Sequence, residues 1–413
     1  MNTHRRRDVI FFTGAGASAW AGYRTFMNFP SMFWPSGNDP AKLEVAEKER
    51  HLLKEMEVHL KKRHLPLTLD WYLYLIHQYQ QVTSHIVSHT ILRERILTGS
   101  AQWASVQELR RLLMTLKNRI CRLTALHYRR PATLEAKIQQ MGVDGVNLDR
   151  KKIDTLYDTF RSVYGESVSE INIFTTNYDI LPEYLFSDSE YFKALRGGDK
   201  SPFLLDNGFQ GFDATSNFGE EKGRLILRGT ASVEDEQDTG QEKPRIVVHR
   251  LHGCVSWLHG NLGDEKIYFD MRDPVQIADF PEKLCVSYPG HEQLYGRRPY
   301  FSAFQALADS FRTARIAIFV GFSFRDVEII AVVGRSLYSR VQKSSTFPRF
   351  IVVDPQLTVE EIRERISYAA TATAGPTISW SNVSIKIVSA TFPSDEATAG
   401  ILELIAQEGR VES

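Results

Sequence analysis

Val9-Ile10-Phe11-Phe12-Thr13-Gly14-Ala15-Gly16-Ala17-Ser18 is the stretch whose reading decides the fold. Four consecutive apolar residues, Val9 to Phe12, need cover on both faces, the pattern of a buried strand in a parallel sheet. Gly14 and Gly16 allow a tight turn and a close backbone approach. A helix beginning near Ser18 would aim its first unpaired N–H groups and its positive dipole end at the same point. Gly14-Ala15-Gly16-Ala17-Ser18-Ala19 fits the dinucleotide fingerprint, with Ala at its third small position. An ordinary strand-to-helix turn uses the same residues, so both readings stand at this point.

The chain has 413 residues, 43% of them hydrophobic, enough for a full α/β domain and a further folded unit. Fifty Lys and Arg balance fifty Asp and Glu, so no net field draws it to nucleic acid or to an anionic membrane. No apolar run approaches the roughly 18 residues that cross a bilayer. Met1 to Arg7 lead into the first strand without a cleavable apolar region, which makes the cytoplasm the expected location. The three cysteines, Cys121, Cys254 and Cys285, are far apart with no Cys-x-x-Cys pair. That excludes a four-thiolate zinc ribbon and argues against a disulfide framework.

After the glycine turn, Tyr23 to Pro40 is rich in aromatics, Pro and Gly, which suits an ordered loop. It reads equally as a flap over a ligand and as a loop pinned to the core. From Ala41 to Val163 the chain reads almost wholly as helix, with apolar stripes such as Val106, Leu109, Leu112, Leu113, Leu116 and Ile120. This places an inserted helical subdomain at 41–165 between the two parts, 1–40 and 166–413, of a Rossmann-like domain. The stripes are most simply core; a surface for self-association is the alternative. His85 and His89 share a helix face but lack a nearby carboxylate or thiolate, so no metal is expected there.

Strand signals return at Ile171 to Thr176, which stops at Asn177-Tyr178-Asp179. Leu225–Leu227, Ile246–His249 and Ile267–Phe269 are shorter strands, and Ala231 to Lys243 is an acidic, solvated loop. Arg315–Val320 runs into Gly321-Phe322-Ser323-Phe324-Arg325-Asp326 and a helix. Arg349–Val353 ends at Asp354-Pro355 before another helix; Val383–Val388 and a last helix complete the pattern. The alternation predicts an α/β fold, a Rossmann-like parallel sheet with helices on both faces and a large all-helical insertion. In such sheets ligands bind outside the carboxyl ends of the strands. Asn177 and Asp179 fit that role or a plain Asx turn, and His252, in Leu251-His252-Gly253, fits it or a core histidine.

Taken together, Gly14 to Ser18, Thr175-Thr176-Asn177-Tyr178-Asp179, Leu251-His252-Gly253 and Gly321-Phe322-Ser323 resemble the sirtuin family. The closer likeness is to its bacterial sirtuin-like branch of NAD-consuming antiphage-defence proteins. The resemblance implies that the glycine loop (Gly14, Ala15, Gly16, Ser18) holds the NAD diphosphate. It places Asn177 beside the nicotinamide ribose to position water, with Thr176 in the same motif and Asp179 as its ordering partner. It puts His252 on the ribose hydroxyls, and Gly321 and Ser323 at the adenosine ribose, where Asp354 ends the next strand. Two features depart from the deacylases of the family. Gly22-Tyr23-Arg24-Thr25-Phe26-Met27 replaces Gly-Ile-Pro-Asp-Phe-Arg, leaving Thr25 where Asp would stand and Arg24 as the nearby basic group. The zinc ribbon that helps build the acyl-lysine cleft has no cysteines here, so no metal is expected.

With no acyl-lysine in place, the chemistry expected of these residues is hydrolysis of NAD to ADP-ribose and nicotinamide, with Asn177, His252 and Asp179 as the catalytic set. Asn177 orients a water, and His252 accepts a proton from it or from a ribose hydroxyl. His259-Gly260 is an alternative histidine, less favoured because His252 directly follows a strand. The rival readings are a non-catalytic NAD or ADP-ribose sensor and an NAD-dependent protein deacylase or ADP-ribosyltransferase. Runaway hydrolysis would be toxic, so gating is expected, with the helical insertion as the candidate for homo-oligomerisation or for docking an activating partner; the resemblance implies a HerA-type ATPase as that partner, with nucleic acid engaged only indirectly.

Overall fold

The computed structural model describes residues 9–21, 47–62, 72–73, 75–76, 111, 114–115, 117–118, 150–165, 170–187, 199–206, 243–262, 265–270, 284–286, 300–342, 346–372 and 378–409. The expected aromatic loop, most of the helical block including His85 and His89, the strand at Leu225–Leu227 and most of the acidic loop lie outside them.

A seven-stranded sheet organises the first of two compact units. Its strands are β1 (Val9–Thr13), β2 (Glu170–Thr175), β3 (Leu204–Asp206), β4 (Arg245–Arg250), β8 (Ile316–Val320), β9 (Arg349–Val353) and β10 (Ile385–Val388). They lie in the order β10-β9-β8-β1-β2-β4-β3, and every neighbouring pair is parallel. From β1 the chain builds one half of the sheet through β2, β3 and β4 and the other through β8, β9 and β10. The order therefore reverses between β1 and β8, the switch point at which doubly wound sheets bind ligands. The expected α/β, Rossmann-like parallel sheet is present, with β3 as an edge strand that the sequence pattern did not mark.

Alternate residues of β1 show that both faces are covered. Ile10 and Phe12 belong to a core with Phe319 and Phe350 of the sheet and with Phe304, Leu307, Ile329, Val333, Ile362 and Ile366. Those last six come from helices α4 (Tyr300–Thr313), α5 (Val327–Val341) and α6 (Val359–Ala372). Phe11, between Ile10 and Phe12, turns the other way and meets Phe160 edge-on at a ring separation of 5.0 Å and Phe392 at 5.8 Å. Phe160 lies on α2 (Arg150–Tyr164), which packs with the last helix, α7 (Asp395–Gly409), through a 2.6 Å bond between Thr159 and Thr398 hydroxyls. A short helix, α3 (Leu181–Phe186), follows β2.

The second unit comprises 24–146 and 255–292. Its described elements are α1 (Glu47–Lys62), with Leu52, Leu53, Met56 and Leu60 buried along one stripe, and a three-stranded sheet of order β6-β5-β7 in which β5 and β6 are antiparallel. These strands are β5 (Gly253–Leu262), which begins at the unit boundary, β6 (Glu265–Asp270) and β7 (Leu284–Val286). The expected insertion at 41–165 thus divides differently. Helix α2 groups with the parallel sheet because its Phe160 stripe covers Phe11, and 255–292 groups with 24–146. The strand expected at Ile267–Phe269 exists within β6, but in this separate sheet. No described helix is long and apolar enough to cross a membrane.

Candidate functional site at the strand ends

The loops after β1 and β8 are locked together by glycine. Gly14 N donates to Val320 O at 2.9 Å, extending the β1–β8 ladder by one rung, and Gly16 N donates to Gly321 O at 3.1 Å. A Cβ on Gly14 would stand 2.5 Å from Gly321 O, and one on Gly16 would stand 2.8 Å from Gly321 Cα. Gly321 itself has φ +57°, a left-handed conformation that a side chain disfavours. The first task of these glycines is therefore to bring two backbones into contact at the switch point. The helix expected near Ser18 begins earlier and is a tighter 3-10 helix, Ala15–Ala21, with Ala17 N bonded back to Gly14 O at 2.9 Å. Gly16 N and Ala17 N are engaged in the turn; Ala15 is half-buried and Gly16 is exposed at its crest.

Asn177 anchors on this turn. Its main-chain N–H donates to Thr175 Oγ1 at 3.1 Å, and its side-chain Nδ2 donates to Gly14 O at 2.9 Å and to Ser18 Oγ at 2.8 Å. A carbonyl oxygen only accepts, so the amide atom facing Gly14 O is the nitrogen, and Oδ1 is the atom turned elsewhere. Oδ1 is buried and has no hydrogen-bond partner among the described residues. Leaving such an acceptor unmet costs on the order of 1–3 kcal/mol, so a water or a ligand hydroxyl is its natural complement. Thr176 N completes the β1–β2 ladder by donating to Thr13 O at 3.1 Å.

Asp179 is buried, and its Oδ1 accepts from Leu181 N at 3.0 Å, closing an Asx-type turn at the start of α3. Burial pushes its pKa up, against the opposing pull of a Ser18 hydrogen bond and the Arg250 charge. Arg250, the last residue of β4, has a fully buried side chain. It donates to Asp179 O at 2.6 Å, to Asn177 O at 3.5 Å and to Glu183 Oε2 at 2.5 Å. One guanidinium thereby grips the loop that carries Asn177 and the helix that follows it.

His252 follows β4 immediately. Leu251 N donates to Thr175 O at 2.9 Å and Gly253 takes φ 80°, so the backbone turns sharply on both sides of the histidine. Its Nε2 lies 2.7 Å from Asp326 Oδ2, with the two side chains only 9% and 14% exposed. Asp326 caps α5, its Oδ1 accepting from Ile329 N at 3.0 Å. Burial pushes the Asp326 pKa up, but the His252 charge and contact and the Ile329 amide outweigh it and hold the group below its ordinary value. Glu328, beside it, is pushed up to about 7, first by burial and then by the Asp326 charge. His249, one turn of the strand earlier, is a structural contrast. It stacks on Phe174 at 4.6 Å and bonds Asn172 Oδ1 at 2.7 Å, with burial lowering its pKa to about 4.

The remaining expected residues spread along the β8 and β9 ends. Ser323 is exposed, and its carbonyl accepts from Arg365 Nη1 at 3.0 Å. Asp354 Oδ1 accepts from Gln356 N at 2.8 Å and Leu357 N at 3.1 Å, shaping the turn after β9. Arg24 and Thr25 lie outside the described residues. His259 falls within β5 opposite Tyr268, in the antiparallel sheet rather than at a parallel strand end. The structure therefore brings Gly14, Ser18, Asn177 and Asp179 into one bonded cluster, keeps Thr176 on the adjoining β1–β2 ladder, and sets His252 against Asp326. Sequence reasoning passed over Arg250, Glu183, Asp326 and Glu328. The available signal was weak: an acidic residue before an apolar helix for Asp326, and a charged residue closing a buried strand for Arg250. Among the described residues, no group of three or more His, Cys, Asp and Glu is placed to hold a metal ion.

The sheet order, with a polar cluster at its switch point, defines a doubly wound, Rossmann-like α/β fold. Within it, residues 171–371 match the family model of the SIR2-like domain, a stretch just short of half the chain. No curated protein matches the chain.

Proposed function

We propose that this chain is an NAD glycohydrolase. The observation that carries the reading is Asn177, whose amide nitrogen is fixed on Gly14 O and Ser18 Oγ while its buried Oδ1 is left unpartnered. That is the arrangement needed to hold one water in one orientation. The SIR2-like match over 171–371 and the switch-point position of the cluster favour a nicotinamide dinucleotide as the molecule beside it.

In the reaction, the C–N bond between ribose and nicotinamide breaks and a C–O bond to water forms, giving ADP-ribose, neutral nicotinamide and one proton. The leaving group departs neutral, so little acid catalysis is required of the protein; orientation of the sugar and of the water carries most of the work. Asn177 Oδ1 accepts from the water, and His252 takes up the released proton. Gly14, Ala15, Gly16 and Ser18 would cradle the diphosphate, with Gly321, Ser323 and Asp354 toward the adenosine end. Only three cysteines occur in the chain, so the four-thiolate ribbon that helps form an acyl-lysine cleft is missing, which favours water as nucleophile.

Unchecked NAD hydrolysis is toxic, which favours a gated effector in the cytoplasm. Antiphage defence, self-association through the helical insertion and a HerA-type ATPase as activating partner complete the reading. The test is incubation of the purified full chain with NAD, alone and with candidate activators, followed by chromatography of ADP-ribose and nicotinamide. Stoichiometric release of both, lost in Asn177→Ala, is the expected result. NAD binding by calorimetry without turnover in any condition would establish the sensor reading instead, and consumption only with an acylated or acceptor protein would establish a transferase or deacylase.

A further inference from the structure

We propose that Asp326 is the positioning residue for His252, fixing its tautomer so that Nδ1 is the nitrogen that takes the proton. The inference rests on the proposed hydrolysis and assigns its proton acceptor to one atom.

The two residues reach each other across the sheet. His252 follows β4, Asp326 lies beyond β8, and β1 and β2 run between those strands. The approach depends on backbone shape on the Asp326 side: Gly321 has φ 57° and Phe324, fully buried, has φ 55° although it carries a side chain. A buried non-glycine residue in that conformation is a local strain that the surrounding fold must hold, and such strain gathers where a loop is aimed at a task. The two carboxylate oxygens have separate partners. Oδ1 is committed to the α5 cap through Ile329 N at 3.0 Å, and Oδ2 lies 2.7 Å from His252 Nε2.

A neutral imidazole has one protonated and one bare nitrogen. The nitrogen against a carboxylate carries the proton, so Nε2 is the protonated nitrogen, held near Asp326 by charge at 2.7 Å rather than by an aligned hydrogen bond, and Nδ1 is the acceptor. When Nδ1 takes a proton, the resulting imidazolium lies beside a carboxylate already in place. Among the described residues, the titratable groups beside this pair include Glu328, next to Asp326 on the same helix turn, and Tyr178, whose ring centre is 6.2 Å from that of His252.

Capping and positioning are separable, because Asn caps a helix as well as Asp does but carries no charge. The experiment compares wild type with Asp326→Asn and Asp326→Ser, using Glu328→Gln as the control for its neighbour. Nitrogen-15 NMR of the histidine rings reads the tautomer and titration of His252, and NAD turnover is followed across pH. In Asp326→Asn the expected results are loss of the fixed Nε2–H tautomer, a fall in the His252 titration midpoint, and a kcat about tenfold or more below wild type with KM little changed. The acid limb of the rate profile should move to lower pH with it. An unaltered tautomer and midpoint in both folded variants would overturn the proposal. Absence of NAD turnover in the wild type would instead sink the hydrolase reading, while the NMR measurement still decides the pairing.

Discussion

Asn177 and Gly14, 163 residues apart in the chain, are joined by a 2.9 Å hydrogen bond from the side-chain amide to the main-chain carbonyl. The bond ties the end of β2 to the glycine turn after β1. Its second leg, at 2.8 Å to Ser18 Oγ, fixes the amide plane and with it the direction of the unpartnered Oδ1.

Ser18→Ala removes that second leg and the Ser18 hydrogen bond to Asp179 together. The expected outcome is a loss of about 1–2 kcal/mol in urea denaturation. NAD turnover should fall roughly tenfold, since one bond to Gly14 O no longer holds the amide plane. If turnover stays at the wild-type level, Ser18 does not orient Asn177.

Gly321→Ala should be strongly destabilising, by at least ~2 kcal/mol. Its φ of +57° disfavours a side chain, and the new Cβ would lie 2.5 Å from Gly16 Cα. Gly334→Ala, inside α5, is the comparison: its Cβ would meet only the Trp380 ring, at 3.3 Å. The helix propensity gained there, about 0.5–1 kcal/mol, should leave that variant near wild type in the same denaturation experiment.

Arg250→Met strands Glu183 in the interior and releases the carbonyls of Asn177 and Asp179. The expected cost is about 3–5 kcal/mol, and Arg250→Met with Glu183→Leu should cost less than the two single changes added together. A double-mutant cycle by thermal or urea unfolding measures the difference; strict additivity would mean the pair is not coupled.

Glu328 should make stability fall as pH rises. Its folded-state pKa, about 7, stands above the unfolded value of 4.5, so between those values the folded chain holds the proton more firmly. Its contribution is complete below about pH 4.5 and is lost as pH climbs through 7. Melting temperatures of wild type and Glu328→Gln, compared at pH 5 and pH 7.5, should show the wild type losing ground to the variant at the higher pH.

Strands β1, β2, β8 and β9 were legible because each is a short apolar run leading into Gly, Asn or Asp, a pattern that local composition carries, and β4 and β10 by their apolar runs alone. Thr176 and Asn177 were found for the same reason, as polar residues at a strand's carboxyl end. The edge strand β3 was not, since Leu204-Leu205-Asp206 is only three residues long and half exposed. Strands β5 to β7 carried too little pattern to show that they form a sheet of their own. The glycines were recognised as turn residues, but their close partner, Gly321, lies some 300 residues onward and is visible only in space.

What the sequence determined by itself is the type of the main strands and helices of the parallel sheet and the strand ends at which polar groups gather, because hydrophobic period and turn chemistry act over a few residues. Tertiary structure alone decided the pairings: Asn177 on Gly14 and Ser18, His252 against Asp326, and Arg250 beneath the Asn177 loop. Each joins residues tens to hundreds of positions apart, brought together by strand order rather than by any local preference. Burial then supplied what no sequence pattern states: an Arg held between carbonyls, a Glu raised to about 7 and an amide oxygen left without a partner.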